Sequence, residues 1–326
     1  DDQIPQISSD DERRSAAALA RLAALHPKLI DLGLERTFHL LAKLGNPHHK
    51  LPPTVHVAGT NGKGSVIALM RAMAEAAGLR VHVYSSPHLC HFNERIRLAG
   101  TLISDGGLAD LLEEVEQANG DTAVTFFEVT TAAAMLAFAR EPADLLLLET
   151  GLGGALDSTN VLDSPLATVI TPIARDHEHF LGNEISEIAQ QKAGIMRSGS
   201  PCFVSRQEAS AASAISAYAS KIGTSLIMAG VDFDWQDLPD GSLCLIHDGQ
   251  NTPLPQPSLY GTHQRDNAAL AAAVMLHCFG TNRPAQMIAG LTSAIWPGRI
   301  QRLDDGKLTA LAPNCEIWVD GAHNAH

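Results

Sequence analysis

The chain has 326 residues, 45% of them apolar, and a formal net charge of −13, which gives room for two domains, or for one large α/β domain with additions, around a packed core. That acidic balance excludes a broad nucleic-acid or anionic-membrane surface, because phosphate-rich partners are drawn to basic stripes and none is visible; an anionic substrate must be met locally, by placed cations, amides or metal ions. No run approaches the ~18 apolar residues of a membrane span, and the opening DDQIPQISSDDERR is acidic where a secretory signal is basic and then apolar, so the sequence reads as cytoplasmic.

Helices are predicted over 11–25 and 35–44, separated by HPKLIDLGLER with the Pro and Gly of a loop, and Pro47, Pro52 and Pro53 close this preamble. Strands and helices then alternate: strand 55–58, helix 63–77, strand 80–85, helices 108–117 and 128–140, strands 144–149 and 167–171, helix 184–196. Alternation of this kind predicts a parallel sheet covered by helices on both faces, with LLLLE as a strand buried on both sides. The stretch 231–258, with Trp235 and its Asp-Gly and Asn-Thr-Pro turns, reads as irregular or β-hairpin structure decorating that sheet. A helix over 266–279 follows, then another, and WPGRIQRL opens a linker leading to a new strand, EIWVD. The sequence stops just after, at DGAHNAH, which is expected of a truncated second domain. The five cysteines (Cys90, Cys202, Cys244, Cys278, Cys315) are odd in number, far apart and in no CxxC pair, so neither a disulfide framework nor a zinc site is expected.

The stretch HVAGTNGKGSV, residues 56–66, places a glycine-rich turn between a strand and a helix. In that context glycines let backbone N–H groups converge on phosphate oxygens, and the helix N-terminus adds partial positive charge. Lys63 would bring a full charge toward the β- and γ-phosphates. The pattern departs from GxxxxGK[ST]: Ala58 opens the frame in place of Gly, and Gly64 follows the lysine, with Ser65 one later. The alternative is a turn that only caps a helix, for which Gly and Asn suffice and the lysine is superfluous. Phosphate chemistry of this type needs Mg²⁺, hence oxygen ligands at neighbouring strand ends. Ser85 and Ser86 end one strand, Glu149 ends LLLLE, and Asp176 and His177 follow ATVIT. Singly, these read as a cap, a solvated strand end and a surface loop residue; jointly, after successive strands, they point to a metal site.

GTNGKGS, SSPHL with NERI, TFFE, ETGLGGALDSTN, DH, QQKAGIMR, WPGR and DGAHN occur here in this order, and in that the chain resembles the folylpolyglutamate synthases, ATP-dependent amide-forming ligases of the Mur ligase superfamily. The match runs over essentially the whole chain. HPKLIDLGLER and SSPHL are similar to the bifunctional bacterial members that also have dihydrofolate synthase activity. The resemblance implies a P-loop-type, mostly parallel α/β sheet with helices on both faces, the Mur ligase central domain, binding ATP over 1–297. It also implies that 298–326 are the linker and first strand of a truncated C-terminal α/β domain that carries the glutamate site.

By the same resemblance, Gly59, Thr60, Asn61, Gly62, Lys63, Gly64 and Ser65 hold the ATP phosphates. Ser86 and Glu149 ligate one Mg²⁺, and His177 helps to hold a second. Lys192 matches a lysine the family carries in carbamylated form, which would turn an ammonium into an anionic oxygen ligand; without the family, Lys192 reads as an exposed helix lysine. Gln264, Arg265 and Asn267 would contact the nucleotide, Asn267 at the adenine edge, and Arg299, Asp320 and His323 would reach ATP from the domain junction, where the plain reading is a linker cation and a polar turn. The pterin would lie among Phe126, Phe127, Asp157 and the loop Ile30, Asp31, Leu32 and Gly33, since a flat heteroaromatic ring stacks on aromatic side chains and its amino groups suit carboxylates. A Phe pair beside a helix also reads as core. The implied reaction passes a γ-phosphoryl group from ATP to a substrate carboxylate and displaces it with the amine of L-glutamate, Lys63, Lys192 and His177 forming the catalytic set. The implied partners are small molecules and the implied state a monomer. The competing readings are a sister Mur ligase acting on UDP-muramyl peptides, against which TFFE and DLGLER speak, and a nucleotide- and pterin-binding fragment without ligase activity.

Overall fold

The computed structural model describes residues 9–24, 31–247, 249–280 and 283–321. Two helices, α1 (Ser9–Ala23) and α2 (Glu35–Lys43), precede β1 (Thr54–Ala58), α3 (Lys63–Ala76) and β2 (Val81–Tyr84). The hairpin β3 (Ile96–Leu98) and β4 (Thr101–Leu102) leads to α4 (Asp105–Asn119), α5 (Phe126–Arg140), β5 (Leu145–Glu149) and β6 (Ala167–Ile170). Then come α6 (Glu178–Leu181), α7 (Ile185–Ala193), β7 (Cys202–Val204), α8 (Ala209–Ile222) and β8 (Leu226–Met228). β9 (Phe233–Asp237), β10 (Leu243–His247) and β11 (Gln250–Leu254) are followed by α9 (His263–Phe279), α10 (Pro284–Ala289), β12 (Gln301–Leu303), α11 (Lys307–Leu311) and β13 (Ile317–Val319).

The main sheet has eight strands in the order β4-β3-β2-β5-β1-β6-β7-β8. Along the sheet from β2 to β8 every pairing is parallel, and at the edge β2–β3 and β3–β4 both pair antiparallel. β1 lies at the centre, with Val57 opposite Glu149 of β5 and Ala58 opposite Ile170 of β6. The C-terminal ends of β2, β5, β1 and β6 therefore open on one edge, where ligands gather in folds of this kind.

Within the apolar strands the period of two decides which face each side chain serves. Val55, Val57, Leu145, Leu147 and Val169 point into the core beneath α3 and α9, whereas Leu146, Leu148 and Tyr84 point into the core beneath α1, α4 and α5. A third cluster, built on Ile170, Ile188, Cys202, Val204 and Ile215, buries α7 and α8. LLLLE is buried along its whole length, as expected of a strand covered on both sides. Residues 231–258 form a three-stranded antiparallel sheet, β11-β10-β9, whose Phe233, Leu243, Leu245 and Leu254 join the α3/α9 core. Among the described residues β12 and β13 pair only with each other, antiparallel. Among the described residues no helix is long and apolar enough to cross a membrane.

Several boundaries differ from the sequence reading for identifiable reasons. α4 starts at Asp105 rather than 108 because Ser104 caps it, its Oγ accepting from Gly107 N at 3.1 Å; the glycine pair hid that start. α5 starts at Phe126 rather than 128 because Thr125 and Glu128 form a reciprocal capping box. α7 stops at Ala193, three residues early. β7, α8 and β8 were not foreseen: the two strands are three residues each, too short to show a period, and the Ala/Ser composition of α8 gives little contrast between its faces.

Candidate active site

The glycine loop joins the end of β1 to α3 at the open edge of the sheet. Thr60 N and Asn61 N donate to Pro172 O at 2.9 and 3.2 Å, and Thr60 Oγ1 donates to Ala174 O at 3.1 Å. These groups pin the loop to the segment after β6. The amides open to an anion are thus those of the first turn of α3, which have no intrahelical acceptor and stand at the positive end of the helix. Gly62 supplies the bend with φ 84°, where a side chain would also meet Asn267 Oδ1. Gly59 is needed for space: a Cβ there would lie 1.8 Å from Thr171 Oγ1 at the end of β6. Gly59→Ala is therefore expected to destabilise the protein by about 1–3 kcal/mol, as overpacking does, and Gly59→Ala/Thr171→Ala to recover only part of it, because the positive φ of 152° and the 2.9 Å approach to the Cβ of residue 171 remain; urea unfolding of the two variants measures this.

Lys63 is folded back over the loop, with Nζ donating to Gly59 O at 3.1 Å and Thr60 O at 3.3 Å. Lys192 reaches the same carbonyl from α7, donating to Gly59 O at 2.8 Å. The exposed-lysine reading of Lys192 is corrected by its 4% exposure. Ile188, Ala189 and Ala193 on the same helix are buried with it, so the i+4 spacing from Ile188 was the sequence signal that places Lys192 on the apolar face. Burial, then the nearby charge of Lys63, lower its pKa to about 7. A lowered lysine pKa means that the unfolded chain holds a proton the folded one has released between the folded and unfolded values, so stability rises with pH across that window. Lys192→Met should then be more stable than the wild type by up to about 4 kcal/mol near pH 7, with the gain shrinking as pH rises from there and gone by about pH 10; urea titrations at the two pH values test the sign.

Glu149, at the end of β5, is 4% exposed. Among the described residues its carboxylate accepts one hydrogen bond, from Ser86 N to Oε2 at 3.1 Å. Burial pushes its pKa up to about 7, against the pull of Lys63, the Ser86 amide and Arg299. A desolvated carboxylate with a single donor, beside a seryl residue and a phosphate-loop lysine, has the chemistry of a hard-cation site and fits Mg²⁺. His177 is 49% exposed in its side chain, in the left-handed region at φ 52°, with Nε2 3.9 Å from Asp176 Oδ1. Among the described residues no group of three or more His, Cys, Asp or Glu is arranged to hold a metal. A second ion does not fit the unmodified residues, because the buried Lys192 amine donates to the loop instead of ligating.

The N-terminus of α9 packs on the phosphate loop. Gln264 Nε2 donates to Ser65 Oγ at 3.3 Å and Asn267 Nδ2 to Gln264 Oε1 at 3.0 Å, both side chains being buried. Arg265 turns the other way, into an ion pair with Asp237 of β9, and Trp235 Nε1 donates to Asp266 Oδ1 at 2.9 Å. Arg299 lies in the linker, close enough for its charge to act on Glu149. Asp320 accepts from Ile300 N at 3.0 Å, tying the end of β13 to that linker. His323 lies outside the described residues, as does Ile30.

On the other side of Glu149, the ring tip of Phe127 rests where a Cβ of Gly151 would be, 2.3 Å away, and Phe126 meets Phe92 edge-on at 5.9 Å. Both rings pack on the core around α5, and Phe127 also meets the turn after Glu149, so the core reading of the pair holds in part. Asp157 is buried and its carboxylate accepts from Leu152 N, Thr159 N and Thr159 Oγ1, which makes it the organiser of the glycine-rich turn after β5. Asp31 pairs with Arg36 at 3.0 Å, and Arg36 Nε also donates to the buried Glu128 of α5 at 3.0 Å. Leu32 packs against the α7/α8 cluster, and Gly33 has open space around it. The Arg36–Glu128 pair, Thr171 and Trp296 were not singled out from the sequence; Arg36 and Glu128 close the motifs DLGLER and TFFE.

Residues 57–275 match the Mur ligase middle domain family. Over 307 residues the chain is 39% identical to the dihydrofolate synthase/folylpolyglutamate synthase of Bacillus subtilis, covering 90% of this chain and 69% of that protein. This chain belongs to the dihydrofolate synthase/folylpolyglutamate synthase family of Mur ligases. Its fold superposes on that of Escherichia coli FolC in complex with DHPP and ADP with a TM-score of 0.85 at 35% identity, over 95% of this chain and 71% of that one. A bifunctional folylpolyglutamate synthase/dihydrofolate synthase with Mn, AMPPNP and L-glutamate bound gives 0.83 at 33% identity, over the same shares of 95% and 71%. Family members of similar fold therefore hold a nucleotide, in one case with a divalent metal.

Proposed function

We propose that the chain is an ATP-dependent ligase that adds L-glutamate to dihydropteroate and to glutamylated folates, with Mg²⁺ as the metal. The observation that carries this is the convergence of the α3 N-terminus, Lys63, Ser86 and the buried Glu149 on one sheet edge, beside the Phe127–Gly151 contact. The substrate carboxylate attacks the γ-phosphorus, forming an oxygen–phosphorus bond as the bond to the β-phosphate oxygen breaks and ADP leaves. The amine of glutamate then attacks the acyl carbon, loses a proton, and expels phosphate as the amide forms. Lys63 and the first-turn amides of α3 bind the phosphates and offset the charge spreading over the transferred group. Glu149 and Ser86 would hold the Mg²⁺, which supplies charge neutralisation when bound. His177 as a ligand of a second ion and carbamylated Lys192 belong to the same reading; a lowered lysine pKa supplies the neutral amine that carbon dioxide needs.

In this reading residues 1–297 form the ATP-binding domain and 298–326 open the glutamate ligase domain. The separate β12–β13 sheet supports that division. The protein works as a cytoplasmic monomer on small molecules, in keeping with its resemblance and net charge of −13. Phosphate release measured with glutamate and, in turn, dihydropteroate, a folate or a UDP-muramyl peptide tests the acceptor. Release with either pterin compound and none with the muramyl peptide is expected, and the reverse order would overturn the assignment.

A further inference from the structure

The phosphate loop departs from the common pattern by the glycine that follows its lysine, and neither phosphate binding nor backbone conformation explains that residue. Gly62 has a left-handed backbone, but Gly64 lies inside α3 with no positive φ. As the second residue of α3, Gly64 has a backbone that any residue could adopt, so something else keeps a side chain out. That something is Trp296. A Cβ on Gly64 would stand 2.3 Å from Cζ2, 2.6 Å from Cε2 and 2.9 Å from Nε1 of the indole. Trp296 comes from the far end of the chain, 232 positions later in the numbering.

The tryptophan is not isolated. Ala294 O accepts from Ser258 Oγ at 2.6 Å, Gly298 O accepts from Gly321 N at 2.8 Å, and Gly298 lies against Leu89 of the loop after β2. Arg299 follows, with its charge felt at Glu149. Segment 294–300 thus touches the phosphate loop, the Ser86 loop and the end of β13 at once. Every one of these contacts other than that on Gly64 leaves the first turn of α3 unconnected to the linker.

We propose that Trp296 is a positioning residue: seated on Gly64, it locks the linker carrying Arg299 to the turn of α3 that would hold the nucleotide phosphates, so that the two move as one. This rests on the nucleotide reading given under Proposed function. It also assigns the missing side chain of Gly64 to the tryptophan, while its amide stays among those offered to the phosphates.

The test is a double-mutant cycle on the affinity for AMPPNP with Mg²⁺, read by calorimetry on wild type, Gly64→Ala, Trp296→Ala and the double variant. A methyl group that collides with the indole should weaken binding about tenfold in the wild-type background and less than about twofold in the Trp296→Ala background. Trp296→Phe, which keeps a ring on Gly64, should bind more tightly than Trp296→Ala. An equal effect of Gly64→Ala in both backgrounds would overturn the proposal, as would variants of position 296 that shift melting temperature but not nucleotide affinity. Should Gly64→Ala fail to fold, folding of the double variant is the expected rescue, and failure of both would count against it. A wild-type chain that binds no nucleotide would overturn the proposed function instead, and urea unfolding of the same four proteins would still read the Gly64–Trp296 contact.

Discussion

Lys63→Ala is expected to lower glutamate-dependent phosphate release by at least about a thousandfold while leaving the fold in place. The lysine is the one full positive charge on the turn that faces the phosphates, and its amine donates to two backbone carbonyls, Gly59 O and Thr60 O. Gly59 O keeps the Lys192 amine at 2.8 Å when Lys63 is removed, and the other acceptor, Thr60 O, belongs to a half-buried residue. Melting should therefore shift by no more than a few degrees, on the order of 1 kcal/mol. Lys63 also draws Glu149 toward ionisation and opposes a charge on Lys192. Its loss should raise the pKa of both groups, making Glu149 harder to ionise and Lys192 easier to protonate. Retention of ordinary turnover by the variant, with dihydropteroate or a folate as acceptor, would refute the phosphate role of the loop.

Glu149→Gln should abolish the metal-dependent part of nucleotide affinity and yet make the protein without metal more stable. The carboxyl of Glu149 has a folded pKa of about 7 against 4.5 for the free group, with burial as the first cause. The folded state therefore holds a proton that the unfolded chain has released between these values, and stability falls as pH rises through that window. Above it the whole burden of an ionised, desolvated carboxylate is present, about 3 kcal/mol by the size of the shift. Glutamine preserves the shape without the charge. The variant should thus gain up to that amount near pH 8 and almost nothing near about pH 4. Urea unfolding at the two pH values, with a chelator present, gives the comparison. A variant that is less stable at the higher pH, or that keeps metal-dependent binding, would contradict the placement of the cation on Glu149.

The central frame of the molecule was legible because its strands and helices carry strong local signals. HVA before GTNGKGS and LLLLE before TGLGG each end a buried strand at a glycine-bearing turn, and the register that sets Val57 opposite Glu149 follows from the parallel pairing. Ser86 and Glu149 could be picked out because strand ends are where such folds gather ligands. What the sequence concealed depended on partners distant in the chain. The reason for Gly59 is Thr171, that for Gly64 is Trp296, and the orientation of Arg265 is decided by Asp237. Periodicity within one segment carries no trace of these. Lys192 is an intermediate case, since its helix announced a buried face but the residue type argued against reading the lysine into it. Asp157 shows the opposite limit: the motif marked it as functional, and the structure gives its carboxylate to the turn that carries it.

The most direct measurement is a crystal structure of this chain with AMPPNP and Mg²⁺. The triphosphate should lie against the first-turn amides of α3 and Lys63, with the metal on Ser86 and Glu149 and the purine toward Asn267. A nucleotide bound elsewhere, or a metal seated away from Glu149, would contradict the account.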